Sequence, residues 1–409
     1  MRILEINKFN FAKGGADRHF LDLVRMLRKN GNDAAVFSMD HSKNEESIWK
    51  KYFVSTVGYT GEFSIWQKIK GIFRMFYSFE AKRKINELLD DFQPDIAHIH
   101  NIYHQISPSI LPQIKKRNIP IVMTAHDYKL ICPDYLLRGE NYGFWKFVTE
   151  KCFKDSFIKS FLVALESKFH KFLDIYDKNI DLYIVPSEFA RNKLISNGIK
   201  ENKIFILPHF IANQTNTALL NSNVVNAKNR YALYSGRISE EKGVDALINI
   251  FENIEGIKLY LAGESEDNFK IKKSANIKYL GYLNSNELAD RIKNAEIIVS
   301  GSRLPETFGL VALEAASFGK PFVGFNSGAY GEIIENGKNG FLVETKKDFI
   351  RVIKDIKNGR LKFNESEIRD LAIKKYDPSK YYGRIIGLFE KAKSVDSLRN
   401  IPRNLAEVK

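Results

Sequence analysis

The chain has 409 residues, and its 63 lysines and arginines against 49 aspartates and glutamates give a formal net charge of +14 at pH 7. This length exceeds what one ordinary hydrophobic core supports, so we expect two or more domains. A hydrophobic content of 44% with 27% charged residues is typical of a soluble globular protein, and no apolar run approaches the ~20 residues of a membrane span.

The strongly basic balance favours anionic partners, namely nucleotides, phospholipid surfaces, nucleic acid or an acidic acceptor. The first residues, MRILEINKFN, have the pattern of a strand and lack a signal-peptide core. Cys132 and Cys152 are the only cysteines, which argues against a disulfide scaffold or a cysteine-rich metal site. Together these features predict a protein of the reducing cytoplasm.

The N-terminal elements follow a strand–helix–strand order. Residues Arg2–Asn7 suit a strand, the loop Phe9–Gly15 follows, a helix from Ala16 ends at Gly31, and Ala34–Met39 suits the next strand. This order predicts an α/β fold with a parallel sheet. Gly14 and Gly15 stand where the loop enters the helix, where they either admit a ligand close to the backbone or form a simple tight turn.

Two later segments combine aromatic and basic residues. Residues 61–90 place Trp66, Phe73 and other apolar side chains in a helical stripe among lysines and arginines, Arg74 included, and residues 144–175 repeat this composition. Such a basic amphipathic helix can lie on an anionic membrane surface or grip an acceptor. Ordinary core-facing or surface helices with solvated lysines are an equal alternative.

Histidines follow two further predicted strands of the N-terminal half. Strand Asp95–His100 leads into Asn101, and strand Pro120–Ala125 leads into His126 and Asp127. Because the carboxyl ends of parallel strands meet at one edge of a sheet, these side chains and Gly14-Gly15 should converge there. His126 is then either a polar contact to substrate, which we favour, or a satisfied core histidine.

The pattern of strands and helices restarts after a polar connection. Strands are expected at Asp181–Val185 and Lys203–Leu207, separated by a helix that Ser187 caps and Gly198 ends. Residues 1–208 would form one domain, the Asn-, Ser- and Thr-rich residues 209–229 a linker, and residues 230–375 a second domain. Strands of the second domain are expected at Tyr231–Ser235, Lys258–Gly263 and Lys278–Gly281, with a helix at Leu288–Ile292, a late helix at 376–394 and a frayed tail at 395–409.

The most informative stretch lies in the second half. A buried strand, Ile297–Val299, is followed by a polar loop with Glu306 and by a helix that begins at Gly309 and reaches Phe318. Gly319 should end this helix, and the next strand is expected at Phe322–Phe325. Free amides at that helix start favour a phosphate, whereas Glu306 and Glu314 would repel it and suit hydroxyl groups. A sugar nucleotide offers both; an ordinary strand–helix unit with solvated glutamates is the alternative.

Motifs along nearly the whole chain resemble one family. The second half contains SGRISEEKG (235–243), LAGE (261–264), LGYL (280–283) and PETFGLVALEAASFGKP (305–321); the first contains GGADRH, DIAHIHN, MTAHDYKLICP (123–133) and IVPSEFARNKL (184–194). Their order resembles that of retaining glycosyltransferases of family 4, and HDYKLICP resembles the subgroup that builds bacterial surface polysaccharides. The resemblance implies the GT-B fold, in which two Rossmann-like domains face each other across a cleft.

The resemblance also implies residue roles. Arg237 and Lys242 would grip the donor diphosphate, Glu314 the ribose hydroxyls and Glu306 the sugar hydroxyls, while His126 would lie beside the donor sugar. The remaining expected donor contacts are Gly14 and Gly15 in the first loop, Glu264 and Tyr282 near the base, and Thr307, Phe308, Gly309, Leu310 and Val311 near sugar and phosphate. The helix 376–394 would pack back on the N-terminal domain.

The resemblance implies a nucleotide-sugar donor and a glycan acceptor. The basic aromatic segments 61–90 and 144–175 add the hypothesis of a lipid-linked acceptor, with the cytoplasmic enzyme peripheral on the inner face of the cytoplasmic membrane. The stretch NSGAYGE departs from the family, which often has two glycines before the glutamate, so the sugar contacts of Ser327–Glu332 stay open. No Asp-x-Asp pair occurs, so we expect no metal and no cofactor. An oligomer stays open as well.

Three other functions stay open at this stage. A non-catalytic partner subunit of another transferase could keep the same binding residues, and a nucleotide-sugar epimerase could share the fold. The charge alone would suit a nucleic-acid-binding protein, but the basic residues accompany apolar stripes and form no recognition motif, so no nucleic-acid partner is expected.

Overall fold

A computed structural model of the chain describes residues 1–57, 65–212, 230–266, 269–272 and 274–399. Residues 61–64 of the first basic aromatic segment, 213–229 of the predicted linker and 400–409 of the predicted tail lie outside the described residues. The chain forms two compact units. The first contains Met1–Pro186, Arg191–Leu207 and the residues from Tyr382 onward, and the second contains Ser187–Ala190 and Pro208–Tyr381.

The first unit contains a six-stranded parallel sheet in the order β2-β1-β3-β4-β5-β6. Its strands are buried apolar segments, as expected where helices cover a parallel sheet on both faces. Glu5 and His98 depart from this apolar pattern, since both are fully buried although their side chains are polar or charged. The strands are β1 (Arg2–Ile6), β2 (Asp33–Phe37), β3 (Ile96–Ile99), β4 (Ile121–Thr124), β5 (Leu182–Val185) and β6 (Ile204–Ile206).

Nine α-helices of the described residues accompany this sheet or the segments between its strands. They are α1 (Gly15–Lys29), α2 (Ile65–Phe76), α3 (Phe79–Phe92), α4 (Tyr103–Ile106), α5 (Leu111–Lys115), α6 (Phe144–Thr149), α7 (Phe157–Phe172), α8 (Ile175–Asn179) and α9 (Glu188–Ser196). As the sequence predicts, the Ser187 hydroxyl caps α9 by accepting a hydrogen bond from the Ala190 amide at 3.0 Å.

The second unit contains another six-stranded parallel sheet, in the order β12-β11-β10-β7-β8-β9. The sequence patterns predicted five of its strands and left out β12. Their bounds are β7 (Tyr231–Ser235), β8 (Lys258–Ala262), β9 (Ile277–Gly281), β10 (Ile297–Ser300), β11 (Phe322–Phe325) and β12 (Gly340–Val343).

The helices of the second half include two that the sequence patterns did not indicate, α13 and α14. The helices are α10 (Val244–Phe251), α11 (Ser285–Asn294), α12 (Leu310–Ser317), α13 (Lys346–Lys357), α14 (Glu365–Lys375) and α15 (Pro378–Arg399). Helix α15 continues past residue 395, where the frayed tail was expected to begin, as far as Arg399. Phe389 and Ala392 of this helix are buried.

The single amphipathic helix expected within residues 61–90 is two helices. Residues Tyr77 and Ser78 separate α2 from α3, and the Ser78 hydroxyl caps α3 by accepting from the Ala81 amide at 3.1 Å. Arg74 does not belong to the basic surface that the sequence predicted. It is buried, and its guanidinium contacts Ser55 and the Glu80 carboxylate. Within the described ranges, no helix is both long enough and apolar enough to cross a bilayer.

Candidate active site

Close backbone contacts shape the carboxyl edge of the second sheet. Gly243, before α10, has φ +66°, and a Cβ there would lie 2.0 Å from the carbonyl oxygen of Gly301. A Cβ at Gly301 would lie 2.1 Å from the carbonyl oxygen of Gly243. Because β7 and β10 are parallel neighbours, the loops that follow them meet at this edge. Only glycine permits so close an approach.

An ion pair joins these two loops. The ammonium of Lys242 lies 2.7 Å from Oε1 of Glu306, and both side chains are partly shielded from solvent. The backbone of Glu306 is fixed by Ala329, whose amide donates to its carbonyl at 2.9 Å. A Cβ at Gly328 would lie 2.3 Å from the Glu306 amide nitrogen. The predicted phosphate cation and the predicted sugar carboxylate are therefore adjacent.

Helix α12 begins beside this pair without a covering side chain. Its N-cap is Gly309, with φ +100°, so the first-turn amides of Leu310 and Val311 have no capping side chain over them. Ser78, Ser156, Asn284, Thr345 and Asn364, in contrast, cap their helices through side-chain oxygens. An uncapped helix start is suited to an anion.

The residues just before α12 are held by packing. The ring of Phe308 is buried against His209 and Tyr376, at centroid distances of 5.1 and 5.9 Å. Only the backbone of Phe308 is therefore suited to a ligand. The carbonyl oxygen of Thr307 accepts a hydrogen bond from the hydroxyl of Ser187 at 2.6 Å, within the same compact unit.

Arg237 lies in a separate set of ion pairs. Its guanidinium is 3.3 Å from Glu241 and 3.1 Å from Glu266. The Tyr234 hydroxyl donates to the Arg237 carbonyl at 2.7 Å. Burial raises the pKa of Tyr234, the charge of Glu306 raises it further, and the charge of Arg237 lowers it. The charges of Glu306 and Arg237 thus both act on the buried phenol of Tyr234. The two predicted phosphate cations, Arg237 and Lys242, nevertheless have different carboxylate partners.

The other predicted donor contacts lie at the same sheet edge or on α12. Glu264 is exposed after β8, and its carbonyl oxygen accepts from the Ile238 amide at 2.9 Å. Tyr282 is exposed after β9. Glu314 is half-buried within α12, where its carbonyl oxygen accepts from the Ser317 hydroxyl at 2.8 Å. Their expected roles toward base and ribose stay predictions.

The first turn of α1 contains a buried carboxylate, Asp17, that the sequence analysis missed. Gly14 is the extended N-cap of α1, and Gly15 is its first residue. The Asp17 carboxylate accepts from the Gly14 amide and, at 3.0 Å, from the side-chain amide of Asn7. Burial raises the pKa of Asp17, and the nearby Lys8 opposes this. An acidic residue three positions after a helix N-cap was the available signal.

His126 belongs to a buried network in the first unit. Its Nε2 lies 2.7 Å from Nδ1 of His100, whose Nε2 lies 2.9 Å from Oε2 of Glu5. His98 also faces Glu5, with Nδ1 at 3.0 and 3.1 Å from the two carboxylate oxygens, while its Nε2 lies 2.8 Å from the Thr124 hydroxyl. The sequence analysis singled out His100 and His126 but not Glu5, which it included in a strand.

The protonation states of Glu5 and His100 depend on their burial and on the neighbouring histidines. Burial raises the pKa of Glu5, but the charge of His98 and hydrogen bonds from His100 and His98 outweigh it and lower the pKa to about 2. Burial and the charge of His98 lower the pKa of His100 to about 4. Near neutral pH, Glu5 is therefore ionised and His100 is neutral.

These residues also have the chemistry of metal ligands. One ligand atom each from Glu5, His98 and His100 lie within 4.8 Å of one another, and all three residues are buried. The carboxylate–imidazole distances of 2.9 to 3.1 Å are those of ordinary hydrogen bonds, so the network is satisfied without an ion.

A second buried ionic cluster joins the loop that follows His126 to helix α7. The Lys129 ammonium is 2.7 Å from Oε2 of Glu166 on α7, and Nε2 of His104 is 3.2 Å from the same oxygen. Nδ1 of His170 is 3.4 Å from the other carboxylate oxygen. The charge of Lys129 and contacts from His104 outweigh burial and hold the pKa of Glu166 well below its usual range. The cluster ties the loop to α7.

Comparison with known protein families gives two matches that together span most of the chain. Residues 13–214 match the family described as Glycosyltransferase Family 4, and residues 216–374 match the family described as Glycosyl transferases group 1. A Klebsiella pneumoniae protein described as an uncharacterised 42.6 kDa protein in the cps region is 24% identical over 365 residues, covering 85% of this chain and 91% of the relative.

Solved structures share the fold. Anabaena HepE in complex with UDP-glucose aligns with a TM-score of 0.66 at 16% identity, covering 96% of this chain and 100% of that one. Sucrose-phosphate synthase from Thermosynechococcus elongatus aligns with a TM-score of 0.71 at 16% identity, covering 96% and 99%. With the two Rossmann-like sheets, these alignments confirm the expected GT-B fold class.

Proposed function

The chain belongs to the family 4 glycosyltransferases, and on this premise we propose that it is a retaining enzyme that moves a hexose-type sugar from a nucleoside-diphosphate sugar to a hydroxyl of a glycan or lipid-linked acceptor. The observation that carries the proposal is the Lys242–Glu306 pair beside the uncapped start of α12. This arrangement offers a cation and amides to phosphate next to a carboxylate for sugar hydroxyls.

The donor would bind with its diphosphate at Lys242 and the amides of Leu310 and Val311. Fixed donors at that position stabilise the negative charge that grows on the leaving diphosphate as the bond to the anomeric carbon breaks. Glu306 would then exchange its contact with Lys242 for hydroxyls of the sugar. The nucleotide ligands named for the Anabaena HepE structures, UDP and UDP-glucose, support a donor of this class.

The chemical step would retain the anomeric configuration by attack on the face that the diphosphate leaves. The acceptor oxygen forms its bond to the anomeric carbon as the bond to the phosphate oxygen breaks, and the acceptor proton passes to that phosphate oxygen. His126 would contact the donor sugar, and closure around the substrates would limit hydrolysis.

We also propose that no divalent metal takes part in the reaction. Lys242 and the helix start would supply positive charge to the diphosphate in place of an ion, joined by Arg237 if it exchanges its contacts with Glu241 and Glu266 for the phosphate. Transfer should therefore persist after dialysis against a chelator. Activity that requires added manganese would contradict this.

The acceptor would be reached at a membrane surface, in synthesis of a capsule, an O-antigen or an exopolysaccharide. The cps-region description of the Klebsiella relative supports this setting. In the first unit, α2 and α7 pack together through Phe76 and Phe169, whose ring centroids are 5.7 Å apart. We use the name apolar-basic face for eight exposed residues of these two helices: Trp66, Phe73, Ile158, Phe172, Lys70, Lys159, Lys168 and Lys171.

The charge and chemistry of the apolar-basic face suit an anionic bilayer. Trp66, Phe73 and Phe172 are 78%, 70% and 86% exposed, which is unusual for large apolar side chains. Lysines around them would face lipid headgroups while the rings enter the boundary of the acyl chains. Such docking would bring the enzyme to a lipid-linked acceptor.

Two experiments test the proposed reaction. A thermal-shift screen against a panel of nucleotide sugars should raise the melting temperature with a subset of them, because a ligand that binds only the native state stabilises it. With the donor known, NMR of the product should show the anomeric configuration of the donor. An inverted product would reject the retaining mechanism, and no shift with any nucleotide sugar would reject the donor class.

A further inference from the structure

His126 is held through a chain of buried side chains that starts two strands away. Glu5 on β1 lies directly opposite His98 on β3 in the sheet register. His100 comes just after β3 ends, two residues beyond His98, which places both histidines on the same side of the sheet. His100 contacts Glu5 through Nε2 and His126 through Nδ1, at 2.9 and 2.7 Å. The rings of His100 and His126 are nearly parallel, with centroids 5.0 Å apart.

The protonation of this chain can be worked out from its buried end. An ionised carboxylate only accepts hydrogen bonds, so His100 must donate to Glu5 from Nε2. A neutral imidazole has one N–H, which leaves Nδ1 of His100 as an acceptor. The 2.7 Å contact then requires that His126 donate from Nε2.

We propose that Glu5 and His100 are positioning residues that hold the ring of His126 with Nε2 protonated and donating to Nδ1 of His100. The hydrogen bond that one ring nitrogen makes sets the state of the other. The ring of His126 would then meet the donor sugar in one fixed orientation. Only this last step rests on the proposed function.

His98 is a matched internal control. It shares the Glu5 carboxylate through Nδ1, but its other nitrogen contacts the Thr124 hydroxyl at 2.8 Å rather than His126. In the same network, His98 should therefore carry a proton on Nδ1, whereas His100 and His126 should carry one on Nε2. A metal ion bound by Glu5, His98 and His100 would instead replace the protons on Nδ1 of His98 and Nε2 of His100.

The test is the ¹⁵N NMR spectrum of the histidine rings in the full-length wild-type protein at neutral pH, assigned by single His→Gln variants. The proposal expects a protonated Nε2 and an unprotonated Nδ1 for His100, a protonated Nε2 for His126, and a protonated Nδ1 for His98. A Nδ1–H tautomer at His100 or His126 would overturn it. So would a stoichiometric metal, by elemental analysis, whose removal changes these signals.

Glu5→Gln gives the second test, because the amide has one acceptor oxygen where the carboxylate has two, and it lacks the negative charge that favours a proton on Nε2 of His100. The His126 signals should lose the single-tautomer pattern, whereas His98→Gln should leave them as in wild type. Once a donor is known, Glu5→Gln should lower kcat by about 10- to 100-fold, as loss of an orienting partner does elsewhere, with a smaller change in KM.

Unchanged His126 signals in Glu5→Gln would overturn the positioning role. If Glu5→Gln does not fold, the wild-type spectrum alone decides the tautomers. A wild-type protein without transferase activity but with the expected tautomers would reject the proposed function and not the positioning chain.

Discussion

The ammonium of Lys242 lies 2.7 Å from Oε1 of Glu306, across two loops that Gly243 and Gly301 bring into backbone contact. Neither side chain is fully buried, so the pair should add only about 0–1 kcal/mol to stability. Its position beside the start of α12 matters more, because a diphosphate bound there would take Lys242 as its own partner.

Replacing Lys242 by Met should therefore separate binding from folding. A hydrogen bond to a charged group contributes about 1.5–3 kcal/mol, so affinity for the nucleoside diphosphate should fall by roughly 10- to 150-fold. The melting temperature without ligand should change little. Isothermal titration calorimetry measures the affinity, with Lys338→Met, an exposed lysine paired with Glu335, as the control.

Unchanged diphosphate affinity in Lys242→Met, with Lys338→Met also unchanged, would show that the lysine does not contact the donor. A large loss of stability in Lys242→Met would show that the pair is structural.

Gly243→Ala should destabilise the second unit by much more than the strain of a positive φ alone would cause. Both Gly243 and Gly337 have positive φ, at +66° and +84°, and in that region a Cβ costs roughly 1–2 kcal/mol. At Gly337 nothing lies within 4 Å of the added Cβ, whereas at Gly243 the Gly301 carbonyl oxygen lies at 2.0 Å. Urea unfolding should show a clearly larger loss of stability for Gly243→Ala than for Gly337→Ala. Equal losses would mean that the two loops do not approach closely.

Local sequence patterns were sufficient to predict most strands and the ends of several helices. Tyr231–Ser235 and Phe322–Phe325 have the predicted bounds, and Gly319 ends its helix as expected. These features depend on short-range hydrophobic runs and on glycine or proline at their ends. The break at Tyr77–Ser78 was missed because the apolar stripe continues across it, although Ser78 is a helix-capping residue.

The site contacts were harder to predict because they join distant residues. Glu5 was included in an ordinary strand, since its contact to His98 spans 93 positions and depends on the order β2-β1-β3. The Lys242–Glu306 contact spans 64 positions and depends on β7 pairing with β10. The family resemblance proposed roles for Lys242 and Glu306 but did not predict that they contact each other.

The buried histidine network predicts a specific loss of stability in mild acid. The pKa of His100 is lowered from 6.5 to about 4, mainly by burial, so below pH 6.5 the unfolded chain takes up a proton that the native state excludes. Stability should therefore fall as the pH drops from about 6.5 to 4, by at most about 1.4 kcal/mol per pH unit for this group. Glu5, whose pKa is lowered from 4.5 to about 2, adds a loss only below about pH 4.5.

Urea unfolding of wild type and His100→Gln between pH 7 and 5 measures this effect. The titratable groups near His100 are Glu5, His98, His126 and His19, the last with its ring centroid 6.5 Å away. The variant should be less stable at pH 7 and have a flatter pH dependence. Identical slopes in the two proteins would mean that His100 is not held neutral by the fold.

The apolar-basic face predicts binding to anionic vesicles. In flotation with vesicles of phosphatidylglycerol and phosphatidylcholine, wild type should float, and raised salt should weaken the binding. Phe73→Ser combined with Phe172→Ser should reduce flotation with little change in melting temperature, because both rings are exposed. Ile48→Ser, which changes a side chain that is 83% exposed in another segment of the first unit, is the control.

Equal flotation of the double variant and the control would assign the binding to another surface. Equal flotation with neutral vesicles would remove the role of the lysines.

The central claim, that Lys242 and the start of α12 form a diphosphate site, is tested most directly by calorimetric titration of the wild-type protein with uridine, guanosine and adenosine diphosphates without divalent metal. We predict saturable binding of at least one of the three at a single site, and its weakening in Lys242→Met. No binding of any of them, or binding that Lys242→Met leaves unchanged, would contradict the claim.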